Sequence, residues 1–117
     1  LLVFPKIKSS TKSVYFKVKN YSKSKIFLNS KTAHRSNFIN LLINSKNDLQ
    51  SIVEKKHKIL GKLLLDLSKV QGCYYSRMTG SGSACFGLFK DKNSSLVALK
   101  KLRKKYPKFW LSTAKTI

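Results

Sequence analysis

The stretch Cys73-Tyr74-Tyr75-Ser76-Arg77-Met78-Thr79-Gly80-Ser81-Gly82-Ser83-Ala84-Cys85-Phe86-Gly87-Leu88-Phe89 decides how this chain reads. Two strand-like runs, 73–78 and 84–89, flank a group of small residues with two glycines spaced G-x-G. Glycine has no Cβ, so the backbone there turns tightly and comes close to a ligand. Successive backbone N–H groups in such a turn form an anion-binding concavity, and the hydroxyls of Thr79, Ser81 and Ser83 add donors that suit a phosphate. The same Gly/Ser pattern between two apolar runs is that of a plain β-hairpin loop. The second run is apolar on both faces, which predicts a central strand.

Upstream, Leu49, Ile52 and Val53 form an apolar stripe that Leu60, Leu63, Leu64 and Leu67 resume after Lys56. This spacing predicts two helices, or one bent near Lys56 and His57, ending at Gly72. Asn47 ahead of Asp48-Leu49-Gln50 reads as an N-cap with Gln at the third helical position. An earlier helix is expected to start near Thr32, with Phe38, Leu41 and Leu42 on one face, and Tyr21 to Lys31 is polar and aperiodic, as in a surface loop. At the start, Leu1 to Ile7 is a short apolar run whose Pro5 fits an edge or terminal strand. Ser9-Ser10-Thr11 follows as a turn or cap; Val14, Phe16 and Val18 alternate like a strand while the preceding hydroxyls announce a helix, and of the two a short helix is the preferred reading.

Downstream, Asn93-Ser94-Ser95 is expected to cap a helix with Leu96, Leu99, Leu102 and Tyr106 inward and Lys100, Arg103 and Lys104 in water. Pro107 follows its end, and residues 109–115 alternate as a last strand. The order strand, helices, strand, strand, helix, strand predicts an α+β fold: a ferredoxin-like α/β sandwich, a four-stranded antiparallel sheet with helices on one face. Residues 1–117 are read as one domain, long enough to bury roughly 65% of the surface its unfolded form exposes.

The formal net charge of +21 invites a polyanion partner, since cations on a surface release counterions from nucleic acid. Of 25 basic residues, however, only Arg35, Arg77 and Arg103 are arginine, the side chain that recognises phosphate and guanine bidentately. Dispersed lysine implies a solvated surface with non-specific attraction to polyanions at low salt. Cys73 and Cys85 form no metal or redox motif and read as free thiols of a reducing compartment. His34 and His57 lack partners at metal-ligand spacing, and no metal site is expected. No apolar run reaches membrane-span length, so a cytoplasmic protein without membrane contact is expected. The chain begins Leu-Leu-Val-Phe-Pro and its single methionine is Met78, which reads as a piece of something longer.

The run from Ser76 to Phe89, preceded by Asn47-Asp48-Leu49 and opened by Pro5 with Ser10-Thr11 shortly after, resembles the C-terminal domain of the GHMP small-molecule kinases. Within that superfamily it is most similar to the branch that phosphorylates a cytidine-diphospho-methylerythritol in the non-mevalonate route to isoprenoids. The resemblance implies transfer of the γ-phosphate of ATP to the substrate 2-hydroxyl, with Mg²⁺ balancing charge. It assigns Thr79, Gly80, Ser81, Gly82 and Ser83 to the nucleotide and substrate pocket, and Pro5 to a turn on the substrate side. Phe4 departs from the small polar residue often found before that proline. The resemblance also implies a partner, the N-terminal GHMP kinase domain, which carries the Gly-rich ATP loop and the catalytic Asp and Lys. Nothing in these residues matches those parts, so no catalytic residue and no bound ATP or Mg²⁺ are expected in this chain alone, and it should be inactive by itself.

Arg77, beside the glycine loop, is the further candidate for an anion contact. Tyr74, Tyr75 and Trp110 are read as core or inter-domain contacts. Asp48, Glu54, Asp66 and Asp91 are the only carboxylates, each on a helix or turn where capping or solvation suits them better than proton transfer. A competing class is a basic RNA-recognition module of the same strand and helix order, but Phe86-Gly87-Leu88-Phe89 reproduces only the end of its signature strand. Another GHMP kinase, acting on homoserine or mevalonate, is the second alternative.

Overall fold

The structure, a computed structural model, describes residues 1–23 and 34–116. In chain order the elements are β1 (Leu2–Phe4), α1 (Thr11–Phe16), α2 (Arg35–Asn44), α3 (Gln50–Lys56), α4 (Lys58–Ser68), β2 (Cys73–Met78), β3 (Cys85–Phe89), α5 (Lys92–Lys105) and β4 (Trp110–Ser112). The strands form one sheet in the order β2-β3-β1-β4 with every pair antiparallel, the ferredoxin-like α+β arrangement. No helix among the described residues is long and apolar enough to cross a membrane.

Strand alternation divides the sheet into two faces. Val3, Met78, Cys85 and Leu111 are cross-strand neighbours on the inner face and are all buried. The stripe Leu60, Leu63, Leu64 and Leu67 of α4 packs on them, three of these four fully buried. Full burial of one such leucine contributes about 1.5–3 kcal/mol, so this stripe is a substantial source of stability. On the other face Leu2, Phe4, Arg77, Phe86 and Trp110 are neighbours in the ladder, and Leu2, Phe4 and Trp110 stay 42–52% exposed. Tyr74 is also partly exposed, while Tyr75 stands edge-on to Phe86.

Several expectations are corrected. β1 is not an edge strand, since β3 and β4 flank it. Pro5 stands one residue past its end, where a missing N–H costs no ladder bond. The helix expected to end at Gly72 stops at Ser68, and two tight turns, closed by Val70 and Cys73 N–H, carry the chain into β2. α5 is capped by Asp91, whose carboxylate accepts from Ser94 N–H at 2.7 Å, and not by Asn93-Ser94-Ser95. Leu102 and Tyr106 are buried and Leu99 packs half-buried against the core, as expected, but Leu96 is only half-buried and the buried side also takes in Ser95 and Ala98. Small side chains at 95 and 98 face the sheet and set the helix close to it, so phase follows size as well as hydropathy. The helix expected near Thr32 begins, within the described residues, at Arg35, and much of the expected 21–31 loop lies outside them.

Candidate functional site

The β2–β3 connection closes on itself through Thr79 N–H to Ala84 O at 2.9 Å and Gly82 N–H to Thr79 O at 3.1 Å. Gly80 (φ +54°) and Gly82 (φ +85°) both take the left-handed conformation that side chains disfavour. They differ in surroundings. A Cβ on Gly82 would lie 2.7 Å from Met78 Sδ, while one on Gly80 would meet nothing within 4 Å. Gly82 thus packs against the core, and Gly80 leaves its outer side open to an approaching group.

Side chains distant in sequence hold the loop. Asn47 Nδ2 donates to Met78 O at 2.8 Å and to Gly80 O at 2.9 Å, while its Oδ1 accepts from Leu49 N–H at 3.0 Å. From the opposite side, Ser9 Oγ donates to Ser81 O at 2.8 Å, Thr11 Oγ1 and Ser81 Oγ share a bond of 2.9 Å, and buried Ser83 donates its Oγ to Ile7 O at 2.6 Å. The Gln50 side chain closes no capping box; its Oε1 accepts from Met78 N–H at 3.0 Å and its Nε2 donates to Glu54. The carbonyls of Met78, Gly80 and Ser81 are therefore occupied by side-chain donors, whereas the N–H groups of Gly80 and Ser81 have no acceptor among the described residues. A loop whose carbonyls are bound and whose N–H groups are free offers donors to an anion.

All five expected loop residues, Thr79 to Ser83, lie in this turn, with Thr79 and Gly80 exposed and Ser81 and Gly82 half-exposed. Pro5 is buried and precedes by two residues the Ile7 carbonyl that receives Ser83, so its turn is joined to the loop. Arg77 is engaged elsewhere: Nη1 donates to Ser45 Oγ at 2.7 Å and Nη2 to Leu42 O at 2.8 Å, with the guanidinium 4.8 Å from the centre of the Tyr75 ring. It satisfies a carbonyl at the C-terminal end of α2, where cations are favoured. Sequence reading missed Ser9 and Thr11 as loop anchors and took Asn47 and Gln50 only for a helix start.

A cavity of about 20 Å³ beside this cluster is lined by Ser9, Ser13, Val53 and His57, and the His57 Nε2 atom is buried without a partner. Hydrogen bonds from Ser22 hold the Asp48 carboxyl below its ordinary value, and those from Ser94 do the same for Asp91. For Asp66, burial works upward but bonds from Lys105 and Tyr106 prevail and lower it. Burial, with the Glu54 charge adding, pushes the Cys85 thiol up to about 12. Among the described residues no three His, Cys, Asp or Glu side chains gather where they could hold a metal ion.

No solved structure matches the chain. The 4-diphosphocytidyl-2-C-methyl-D-erythritol kinase of Anaplasma phagocytophilum is 35% identical over 121 residues, spanning 100% of this chain and 39% of the relative. The protein of that name from a Wolbachia endosymbiont of Brugia malayi is 34% identical over 79 residues (68% of this chain, 27% of the relative). Its counterpart from Prochlorococcus marinus strain MIT 9515 is 49% identical over 59 residues (50% and 19%). The chain thus spans two fifths or less of the length of these curated relatives. A family model described as GHMP kinases C terminal matches residues 32–108, which include the glycine loop, and with this match the chain belongs to the GHMP kinase family.

Proposed function

We propose that this chain is the C-terminal portion of an ATP-dependent kinase that phosphorylates the 2-hydroxyl of 4-diphosphocytidyl-2-C-methyl-D-erythritol in cytoplasmic isoprenoid precursor synthesis. The observation that carries the reading is the glycine loop, with its Gly80 and Ser81 carbonyls bound by side chains and its Gly80 and Ser81 N–H groups without an acceptor among the described residues. Thr79, Gly80, Ser81, Gly82 and Ser83 line one wall of the nucleotide and substrate pocket, where N–H and hydroxyl donors fit phosphate oxygens. Pro5 fixes the turn on the substrate side through Ile7 and Ser83. Arg77 enters as a positioning residue that anchors α2 beside the loop's incoming strand and keeps N–H groups to spare for an anion.

The loop's own anchors are amide and hydroxyl groups, and the carboxylates Asp48, Glu54, Asp66 and Asp91 accept from Ser22, from Gln50, from Lys105 and Tyr106, and from Ser94. This donor set fits phosphate and does not fit Mg²⁺, which takes carboxylate oxygens and waters. No step is therefore assigned to the metal within this chain. The catalytic base and the ATP loop belong to a companion N-terminal domain, and dispersed lysines add salt-sensitive, non-specific attraction to polyanions.

The test is transfer of ATP phosphate to the diphosphocytidyl substrate by the full gene product and by the 117-residue chain. The full product is expected to be active and the short chain inactive. Gly80→Ala in the full product should lower kcat/KM by about tenfold while the fold is kept, because a Cβ intrudes on the open side of the loop. An active short chain, or a full product that transfers no phosphate, overturns the reading.

A further inference from the structure

The cavity of about 20 Å³ beside the glycine loop lies between two segments that both hold that loop. On one wall Ser9 donates its hydroxyl to Ser81 O, and on the other Val53 lies under Gly82, where a Cβ would come to 3.4 Å from Val53 Cγ1. Ser13 joins the first wall, and His57 joins the second at the joint between α3 and α4. Whatever fixes the width of the cavity fixes the two grips on the loop relative to each other.

α1 needs such a fixture. It has six residues, one buried side chain, Val14, and a single side-chain cap, Ser10 Oγ, which accepts from Ser13 N–H at 3.3 Å. A helix this short does not hold itself together in water. Across the cavity the His57 Nε2 atom is buried with no hydrogen-bond partner among the described residues. Its ring is not spent on the helix that follows, since His57 stands at the N-cap of α4 without a side-chain cap bond. A buried ring nitrogen left unbonded is costly, so the cavity is where its partner belongs.

Size and lining decide what that partner is. A space of about 20 Å³ takes one water and is too small for a phosphate or a carboxylate. Ser9 Oγ gives its proton to Ser81 O and keeps lone pairs, the Ser13 hydroxyl turns either way, and Nε2 donates or accepts according to tautomer. Water, with two protons and two lone pairs, suits this mixed set. A metal cation does not, because Lys17 and Lys56 line the same cavity. Both lysines are exposed and keep their hydration, so they demand no anion inside it.

We propose that one ordered water binds in this cavity and bridges His57 Nε2 to the hydroxyls of Ser9 and Ser13, which makes His57 a positioning residue for the glycine loop. The path runs from ring nitrogen to water to Ser9 Oγ to Ser81 O. The rigid peptide unit that carries Ser81 O also carries Gly82 N–H, which closes the turn on Thr79 O at 3.1 Å. The joint between α3 and α4 thereby sets the plane of a loop peptide. The bearing on phosphate binding rests on the kinase reading; the bridge itself does not.

Hydrogen exchange at Gly82 N–H in the full gene product tests it. No substrate is added, so failure of the bridge and failure of the kinase reading are separate results. His57→Gln puts a polar atom near the Nε2 position and should stay within about twofold of the parent, whereas His57→Leu should quicken exchange at Gly82 about fivefold. His57→Asn improves the cap of α4, but its amide reaches only the Nδ1 position. It should quicken Gly82 as leucine does while the α4 amides stay as protected as in the parent, a split that a merely structural role would not produce. Parental exchange at Gly82 in His57→Asn, or equal quickening in all three variants, overturns the proposal. A crystal structure of the full product soaked in bromide should show one water within hydrogen-bonding distance of His57 Nε2, Ser9 and Ser13. A halide there, or no atom at all, overturns it too.

Discussion

The two ends of the sheet are finished by different parts of the polypeptide. At the loop end, side chains from positions 31 and 72 residues away in sequence bind backbone atoms around the β2–β3 turn. At the opposite end, Phe89 and Ala114 line a groove with a rim of long flexible side chains from Arg35, Lys90 and Lys115. The first end is specified by side-chain chemistry and the second by main-chain pairing, where Leu2 stands between Phe86 and Ser112. Substitutions that alter a side chain should therefore be felt at the loop and pass almost unnoticed at the groove.

The largest expected effect is Gly82→Ala. It forces a Cβ to within 2.7 Å of Met78 Sδ at φ +85°, and should cost about 3 kcal/mol in urea unfolding. A loss below about 1 kcal/mol would mean that the loop is not fixed by its seat on the core. Next, Asn47→Ala leaves Met78 O and Gly80 O without their donor and should cost about 2 kcal/mol. Asn47→Asp should be nearly as damaging, because a carboxylate keeps the Leu49 bond but cannot donate to the two carbonyls.

A control outside both ends is Asp66, which accepts from Tyr106 Oη at 2.5 Å and pairs with Lys105 Nζ at 2.7 Å. Its folded pKa is lowered from 3.8, so its contribution is present above that value and lost as pH falls through the folded pKa. Asp66→Asn should thus cost about 1 kcal/mol at neutral pH, discounted for partial exposure, and the difference from the parent should vanish in the acid range below 3.8. The smallest effect belongs to the groove: Ala114→Pro in the 117-residue chain should shift stability by less than about 0.5 kcal/mol, since that N–H has no partner among the described residues.

The same division explains what could be read from the sequence. β2 was legible because Gly72 and Thr79 bracket an apolar run, and the fold followed from the order of such runs. The break at His57 was legible because Lys56 interrupts a stripe that Leu60 resumes. Asn47 was seen as a capping residue, a local signal, but its bonds to residues 31 and 33 positions later leave no trace in spacing. Ser9 and Thr11 were read only as part of a turn or cap for the same reason, since a hydroxyl 72 or 70 residues before its partner resembles any other turn residue. The inward face of α5 was read incompletely because Ser95 and Ala98 are small, and hydropathy weighs them below the leucines although they are buried beside Leu102. Pro5 misled because the rule against proline in inner strands applies only within the ladder, which ends at Phe4.

The two cysteines stand at the two ends of this sheet. Cys85 opens β3 beside the glycine loop, wholly buried and paired with Met78, while half-buried Cys73 begins β2 and is paired with Phe89. Burial raises both thiols, so neither is a ready nucleophile in the closed fold. A thiol-trapping reagent would consequently act as a pair of built-in clocks, with Cys73 timing the opening of one edge and Cys85 the loss of the core beneath the other. The ratio of the two rates would rank which side of the molecule lets go first, without a single engineered label.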